Sequence, residues 1–347
     1  MLNMNNRSIL LIYTGGTIGM KQDPDTLALV PFNFNQIIEE VPELRKFGYS
    51  IDAHSFDPVI DSSDVVPQFW VDLAELIQSN YDKYDGFVVL HGTDTMSYSA
   101  SALSFMLENL EKPVVFTGSQ LPIGMLRTDG KENLISSIEI AAAQDQHGRA
   151  MVPEVCIYFE SYLYRGNRTT KYNAENFRAF RSANYPVLAE VGIHIKFNTS
   201  LIRYPQEWGK PLKVNKKLDT GVASLKMYPG LTQTVMDAVI DTPGIRGLIV
   251  ETFGSGNAPT SKWFTDAVKR AVAKGLVVLN VTQCQAGSVD MDAYATGVAL
   301  KNVGVISGYD STFEAALVKL FFLLGHFDDN EDVKSNLLKN IRGEISL

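Results

Sequence analysis

Cysteine is scarce in this sequence, which places only Cys156 and Cys284 among 347 residues and in separate halves of the chain. Two such distant thiols cannot build the disulfide framework of a small secreted protein, so reduced cysteines and an intracellular compartment are expected. The five histidines are scattered without metal-ligand spacing, and C-x-x-C does not occur. We therefore expect no metal site.

Long hydrophobic runs are also lacking. The first apolar run, at residues 9–13, is shorter than the core of a signal peptide, and no A-x-A-like cleavage site follows it. The most apolar later run, at residues 315–324, contains Lys319 and stops at Gly325, well short of the ~20 residues that span a bilayer. The sequence therefore predicts no membrane-spanning segment.

An excess of positive charge is missing as well. The chain has 31 Lys and Arg against 39 Asp and Glu, which gives a formal net charge of -8. No overall basic field exists to attract a phosphate backbone or an anionic membrane, so neither nucleic acid nor membrane is expected as a partner. With 45% hydrophobic and 20% charged residues, the composition is that of an ordinary globular protein.

Short β-rich apolar runs alternate with helical patterns through both halves of the chain, which is typical of βαβ units around a parallel sheet. A polar stretch at residues 199–220, punctuated by Pro and Gly, predicts a linker between a larger domain, residues 1–198, and a smaller one, residues 221–347. The predicted fold class is α/β, with two parallel-sheet domains of which the N-terminal one is flavodoxin-like or Rossmann-like. Strands are predicted at 9–13, 87–90, 114–116, 155–159, 222–227, 248–250, 276–281 and 303–307, and helices at 68–80, 96–110, 261–273, 312–324 and 332–341.

Three clusters of glycine and hydroxyl residues follow predicted strands directly. They are TGGTIG at 14–19, HGTDT at 91–95 and TGSQ at 117–120. Ligands of open α/β sheets bind outside the carboxyl ends of the strands, and glycines expose backbone N–H groups there. The three loops are therefore predicted to form one compact polar pocket.

Several motifs of familiar sites are absent. The glycine clusters do not fit G-x-G-x-x-G, no Gly-Lys-Ser/Thr follows a glycine-rich loop, and G-x-S-x-G does not occur. Nucleotide binding and the usual serine hydrolase elbow are thereby disfavoured. The abundance of threonine in the three loops makes threonine the candidate nucleophile.

A threonine hydroxyl attacks a carbonyl only when a base removes its proton. Asp94 stands beside Thr93 on the second loop, and Lys171 follows the fourth predicted strand, within reach of the same edge. Burial would lower the pKa of such a lysine, whereas a neighbouring carboxylate would raise it. The sequence leaves open which effect is larger.

Six motifs occur in order along nearly the whole chain: TGGTIG, LHGTDTM at 90–96, TGSQ, YRGNRTTK at 164–171, GNAP at 256–259 and TQC at 282–284. In these motifs the sequence resembles the type I, cytoplasmic branch of the L-asparaginase family. The resemblance implies two α/β domains and a homotetramer built as a dimer of dimers. It also implies hydrolysis of L-asparagine to L-aspartate and ammonia in the cytoplasm, without cofactor or metal.

The resemblance assigns roles residue by residue. Thr17, the second threonine of TGGT, would be the nucleophile. A second triad of Thr93, Lys171 and Asp94 would position water and transfer the proton, with Asp94 also pairing with the α-ammonium group. Further substrate-binding residues would be Asp61, Ser62, Ser63, Gly92, Ser119 and Asn257, the last reaching the site of a neighbouring subunit.

The sequence departs from the family pattern at two positions. A tyrosine usually precedes a hydrophobic residue and proline after TGGTI, but Leu29 stands there, which shifts the activation of Thr17 towards Lys171 or another group. Some cytoplasmic members carry a regulatory asparagine site lined by an arginine and by TQC. Here Thr282, Gln283 and Cys284 are present, but Glu251 takes the arginine's place. Because a glutamate repels the effector's carboxylate, a hyperbolic rate curve is expected.

Two further side chains have a plainer interpretation. His91 is expected to be a hydrogen-bonded structural histidine rather than a base, and Cys284 a small buried hydrophobe rather than a reactive thiol.

Three other functions stay open. One is a mixed glutaminase-asparaginase, and another is a non-catalytic amino-acid-binding module. The third is the ammonia-producing subunit of a tRNA amidotransferase, for which the start of TGGTI at Thr14 leaves no room for the usual extra N-terminal domain.

Overall fold

The computed structural model describes residues 7–22, 29–31 and 41–347, with only the backbone described at 21, 22 and 29–31. The chain divides into two compact units, Met1–Asn215 and Lys216–Leu347. The division falls within residues 199–220. The first part of that stretch is bonded to the first unit, because the buried ion pair of Arg165 and Glu154 binds the carbonyl of Leu201 and the amide of Arg203.

The described part of the first unit is an α/β assembly. Its strands are β1 (Ser8–Tyr13), β2 (Met20–Gln22), β3 (Leu29–Pro31), β4 (Ser50–Ser55), β5 (Gly86–Leu90), β6 (Leu107–Glu108), β7 (Val114–Thr117), β8 (Val155–Phe159), β9 (Tyr162–Arg165), β10 (Thr170–Lys171), β11 (Phe180–Arg181), β12 (Ala189–Val191), β13 (Ile195–Phe197) and β14 (Lys213–Val214). Its α-helices are α1 (Pro67–Asn80), α2 (Met96–Met106) and α3 (Gly130–Ala142), and its 3₁₀ helices are Thr17–Gly19, Pro42–Lys46, Ser62–Asp64 and Gly166–Arg168.

The main sheet of this unit has the order β13-β12-β9-β8-β7-β5-β1-β4 among the described residues. The strands β4, β1, β5, β7 and β8 are parallel, and in chain order they run 2-1-3-4-5, the flavodoxin-like arrangement. The predicted fold class is confirmed. The strands β9, β12 and β13 extend the sheet in antiparallel fashion beyond β8.

The central strands form because their residues are apolar on both faces. All five residues of β5 are buried, as are all four of β7 and all five of β8. Helix α1 buries Phe69, Trp70, Leu73, Ala74 and Ile77 at helical spacing. Each large apolar side chain that is fully buried stabilises the fold by about 1.5–3 kcal/mol relative to its exposed state.

Helix α2 ends earlier than predicted, at Met106 instead of residue 110. The next two residues form β6, which pairs with β14. Asn109 then adopts φ 61, a left-handed conformation that a continuing α-helix excludes. The residues predicted to form the last turn of this helix therefore pair with β14 instead.

The second unit contains one parallel sheet among its described residues, with the order β15-β16-β17-β18. Its strands are β15 (Val222–Lys226), β16 (Gly247–Thr252), β17 (Val277–Thr282) and β18 (Ile306–Ser307), and its helices are α4 (Gln233–Ile240), α5 (Lys262–Ala273), α6 (Ala295–Asn302), α7 (Phe313–His326) and α8 (Asn330–Leu337).

Two predicted boundaries in the second unit were wrong. Strand β18 is shorter than predicted because the amides of Val303, Gly304 and Val305 bond to the last carbonyls of α6. Helix α8 begins two residues earlier than predicted, where Asp329 caps it by accepting from the Glu331 amide, and it ends at Leu337.

Lys319 of α7 forms a buried ion pair with Glu344, with Nζ and Oε1 2.5 Å apart. The amine also donates to the carbonyls of Leu337 and Lys339, and the carboxylate accepts from the amides of Ile341 and Arg342. Although burial alone would raise the pKa of Glu344, Lys319 and these amides hold it below its ordinary value. The pair fastens the segment after α8 to the interior of the unit.

No helix among the described residues is long and apolar enough to cross a membrane. The same part of the chain contains no group of three His, Cys, Asp or Glu side chains arranged to hold a metal ion.

Candidate active site

The three predicted loops meet at the carboxyl edge of the main sheet. β1 pairs with β5, and β5 pairs with β7, so the loops that follow these strands are neighbours. The strand order changes direction between β1 and β5, which makes this the switch point where open α/β sheets bind ligands. TGGTIG and HGTDT lie on its two sides.

Glycines allow these loops to touch. Gly16 has φ 87, and a Cβ atom on it would lie 2.5 Å from Gly92 Cα. A Cβ atom on Gly92 would lie 2.5 Å from Ser62 Oγ. Since real side chains do not approach so closely, the backbone of Gly16 lies against that of Gly92, and the backbone of Gly92 against the Ser62 side chain, only because both positions are glycine.

Thr17 opens the short 3₁₀ helix Thr17–Gly19 and is half-buried. The helix is held in place by Tyr13, whose Oη donates to the carbonyl of Gly19 at 3.0 Å. Within the described residues the Thr17 hydroxyl makes no hydrogen bond, so it is available to a ligand. Leu29, which was predicted to take the place of a family tyrosine, pairs with Gln22 across β2 and β3; its side chain lies outside the described part of the chain.

The second group of predicted catalytic residues is brought together. Lys171, on β10, places Nζ 2.8 Å from Thr93 Oγ1 and 2.6 Å from Asp94 Oδ1. The lysine side chain is 17% exposed and that of Asp94 63% exposed. The amine therefore lies inside the site, whereas much of the carboxylate faces solvent, where it can meet a cationic group of a ligand.

The segment Asp61, Ser62 and Ser63 lies beside HGTDT. Thr95 Oγ1 donates to the Ser62 carbonyl at 2.6 Å, and Ser62 is buried. Asp61 Oδ1 accepts from the amide and the hydroxyl of Ser63 at 2.9 and 2.8 Å, and these bonds lower the pKa of Asp61. Asp61 thus stabilises the turn at residues 61–63. Of these three residues, Ser62 is the one that is buried beside HGTDT.

Ser119 of the TGSQ loop is buried, and its hydroxyl donates to the Leu121 carbonyl at 2.5 Å. Two residues that sequence reasoning missed hold this loop. The Asp129 carboxylate accepts from the amides of Gln120 and Leu121, and burial raises its pKa although these bonds lower it. Asn133 Nδ2 donates to the Gly118 carbonyl. Asp129 directly precedes α3 and Asn133 lies in its first turn, and no local pattern in the sequence points to either role.

Asn257 and the four predicted regulatory residues belong to the second unit. Asn257 Oδ1 accepts from Thr296 Oγ1 at 2.7 Å. Gln283 donates its side-chain amide to the carbonyls of Met227 and Glu251. Within the chain, these contacts connect Asn257 and Gln283 to their own unit.

Thr282 and Cys284 also make local contacts. Thr282 Oγ1 donates to the Gly254 carbonyl at 2.5 Å and accepts from the Cys284 amide. Burial raises the pKa of Glu251, which the nearby Lys226 opposes. Cys284 is exposed and Cys156 is buried. The prediction of a buried Cys284 was therefore wrong, because the loop after β17 carries it out of the sheet.

Comparison with known proteins identifies the family of this fold and site. The model of the asparaginase N-terminal domain matches residues 8–203, and that of the glutaminase/asparaginase C-terminal domain matches residues 221–337. The chain belongs to the asparaginase family, as its motifs predicted.

Individual relatives match over nearly the full length. The chain is 43% identical over 346 residues to L-asparaginase 1 of Escherichia coli (strain K12), with 99% of each chain covered. The crystal structure of L-asparaginase I from Vibrio cholerae O1 is 42% identical, with a TM-score of 0.89 over 98% of this chain and 99% of that one. A subunit of the glutamyl-tRNA(Gln) amidotransferase of Pyrococcus abyssi is 33% identical over 97% of this chain and 76% of its own length.

Proposed function

We propose that this chain hydrolyses the side-chain amide of L-asparagine, giving L-aspartate and ammonia. The observation that carries the proposal is the position of Lys171 Nζ between Thr93 Oγ1 and Asp94 Oδ1, on the sheet edge where the Thr17 loop meets HGTDT. The similarity to asparaginases over both units supports it.

In the first half-reaction, Thr17 Oγ1 attacks the amide carbon of the substrate. A carbon–oxygen bond forms, the carbon–nitrogen bond breaks, and the hydroxyl proton ends on the leaving nitrogen, so that ammonia departs and a threonyl ester remains. Lys171 and Thr93, which are hydrogen-bonded to each other, are the groups that we propose receive and return this proton. General acid–base assistance of this kind contributes about 10²- to 10⁴-fold to the rate.

In the second half-reaction, water attacks the ester. The carbon–oxygen bond to Thr17 breaks, the water oxygen stays on the product carboxylate, and the hydroxyl of Thr17 is restored. Thr93 and Lys171 are the groups placed to orient this water. None of these steps requires a cofactor.

The two charges of the amino acid would fix its orientation. Asp94, with its exposed carboxylate, pairs with the α-ammonium group, and Ser62 with neighbouring backbone amides binds the α-carboxylate. The Thr93 amide donates to no acceptor within the described residues and is free to bind a substrate oxygen. Ser119, buried on the TGSQ loop, is proposed as a further substrate-binding residue.

The proposal includes a homotetramer, built as a dimer of dimers, in which Asn257 of one subunit completes the site of another. A closed C2 arrangement makes such a contact reciprocal. Sedimentation velocity at enzyme concentrations spanning the activity range tests this part, because a fully active monomer would contradict it. A cytoplasmic location also belongs to the proposal, as the two cysteines in separate halves favour.

A coupled ammonia assay on L-asparagine, L-glutamine and D-asparagine tests the central proposal. Ammonia release that is fastest with L-asparagine is the expected result. Similar kcat/KM for both L-amides would identify a mixed glutaminase-asparaginase. Binding of asparagine without ammonia release would identify a binding module and overturn the proposal. Activity that appears only with a partner protein and charged tRNA would identify a component of an amidotransferase.

A further inference from the structure

A buried chain of hydrogen bonds leads from α1 to the HGTDT loop. Trp70 Nε1 donates to Ser99 Oγ at 3.0 Å, Ser99 Oγ lies 2.9 Å from His91 Nε2, and His91 Nδ1 lies 2.7 Å from the Gly92 carbonyl oxygen. Trp70, Ser99 and His91 are all buried. The chain joins α1, α2 and the end of β5.

The chemistry of its two ends sets the direction of this chain. The Trp70 indole can only donate, and the Gly92 carbonyl can only accept. His91 Nδ1 must therefore carry a proton. In a neutral imidazole Nε2 then accepts, which assigns the proton of the Ser99 hydroxyl to the bond with Nε2. Every group in the chain is satisfied in this one arrangement.

The surroundings of His91 favour the neutral ring. Its imidazole makes edge contacts with Phe69 and Phe116, whose ring centroids are 5.6 and 5.8 Å away and whose rings are inclined steeply to it. Burial among these rings lowers the pKa of His91 to about 4, although the bond to Gly92 opposes the shift. With both ring nitrogens bonded and two aromatic rings packed against it, the imidazole has one orientation.

The direction of the Gly92 carbonyl bears on the site. In a planar trans peptide the C=O and the following N–H point to opposite sides. When Gly92 C=O points at His91, the Thr93 N–H points away from the buried ring. The same peptide leads into the Thr93 side chain, whose Oγ1 accepts from Lys171.

We propose that His91 is a positioning residue for amide hydrolysis: as a neutral Nδ1–H donor, it fixes the Gly92–Thr93 peptide plane and thereby the amide and hydroxyl of Thr93. This inference rests on the function proposed above. His91 touches no reacting atom and acts through Thr93.

A matched pair of variants separates the donor from the bulk of the ring. In His91→Asn, the side-chain amide nitrogen can occupy the place of Nδ1 and still donate to Gly92. In His91→Gln, the amide reaches the place of Nε2 instead, and Gly92 loses its donor. Both variants remove the imidazole and leave a neutral amide, so they share the loss of ring packing.

We expect His91→Asn to keep kcat within about threefold of the wild type, and His91→Gln to lose about tenfold or more with little change in KM, because misplacing a reacting group lowers turnover. Thermal unfolding of both variants serves as the stability control. Equal kcat values in the two variants, at equal folded fractions, would overturn the proposal. If the wild type releases no ammonia from asparagine, the proposed function is refuted. The tautomer of His91 is then tested by the NMR measurement described next.

Nitrogen-15 NMR of the histidine rings provides a readout that requires no turnover and no His91 variant. The five histidines are assigned by replacing the other four singly with Asn. At pH 7 we expect His91 as the neutral tautomer with its proton on Nδ1. A proton on Nε2, or a cationic ring, would overturn the proposal even if neither His91 variant folds.

Discussion

The amine of Lys171 lies 2.8 Å from the hydroxyl of Thr93, although 78 positions separate the two residues in the chain. Two strands, β8 and β7, separate β9 from β5 in the sheet. The segment after β9 packs its 3₁₀ helix, Gly166–Arg168, against α2 and so brings Lys171 to the loop after β5, where Asp94 binds the same amine. A proton path between Thr93 and Lys171 therefore exists before any substrate binds.

Replacing Lys171 with Met should lower kcat for L-asparagine by about 10²-fold or more, since a group that assists proton transfer is lost. Ammonia release under saturating substrate measures this. Lys210→Met is a suitable control, because Lys210 pairs with Glu207 on the surface, and it should leave kcat unchanged. A rise in KM alone would make Lys171 a binding residue and would move the base elsewhere.

Replacing Thr17 with Ala should abolish turnover while asparagine still binds, because the hydroxyl forms the ester and the charges of the amino acid provide the binding. Calorimetric titration gives the affinity, and the ammonia assay gives the rate. The matched control is Thr242→Ala, which removes an exposed threonine hydroxyl that donates to the Ala238 carbonyl of α4, away from the site. Ammonia release at the wild-type rate from the Thr17 variant would end its assignment as nucleophile.

The parts of the fold that sequence predicted well are those with a local pattern. β5 and β8 are continuous apolar runs, and the polar clusters directly after strands placed Thr17 and Thr93 on the correct edge. Helix α6 was not predicted, because it buries few residues and its apolar residues do not recur at helical spacing.

The supports of the site escaped prediction for a different reason. Asp129 binds amides eight and nine positions away, Asn133 binds Gly118 across 15, and Trp70 reaches Ser99 across 29. Such bonds leave no period in the sequence, and only the assembled fold reveals them.

The free energy of unfolding should depend on His91 at mildly acidic pH. Because the folded-state pKa of His91 is lowered by burial to about 4, the unfolded chain, with a pKa near 6.5, binds a proton between these values that the folded chain does not. Stability is therefore lost as pH falls, by ~2 kcal/mol between pH 7.5 and 5 for this residue. Urea unfolding at both pH values tests this. Between these two pH values, His91→Asn should lose ~2 kcal/mol less unfolding free energy than the wild type. An equal loss in both proteins would contradict a lowered pKa for His91 in the folded state.

The ion pair of Lys319 and Glu344 should show strong coupling. Lys319→Met leaves a buried carboxylate without its cation and should cost about 3–5 kcal/mol of unfolding free energy. Adding Glu344→Gln should restore part of this, because a neutral amide oxygen in the place of Oε2 still accepts from the amides of Ile341 and Arg342. Urea unfolding at pH 7 measures both. Lys334→Met, which breaks a pair with the exposed Glu331, should change stability by less than ~1 kcal/mol. A double variant less stable than Lys319→Met would contradict this account.

The rate curve with asparagine should be hyperbolic. The resemblance implies that Glu251 takes the place of an arginine that would bind the effector's carboxylate, and the Gln283 side-chain amide donates to the carbonyls of Met227 and Glu251. A site that repels the effector's carboxylate cannot supply the ~1–3 kcal/mol of coupling that cooperativity requires. Initial rates across a wide substrate range test this prediction. A sigmoidal curve that becomes hyperbolic in Thr282→Ala would reveal a regulatory site, and an unchanged sigmoidal curve in Glu251→Arg would show that this position is not part of it.

The ion pair of Lys319 and Glu344 also bears on biosynthesis. The sheet of the second unit begins at Val222, yet one partner of its buried cation is residue 344. A ribosome must therefore translate more than 100 codons after Val222 before both Lys319 and Glu344 exist. Until both residues have left the exit tunnel, the emerging second unit lacks the buried ion pair that fastens the segment after α8 to its interior.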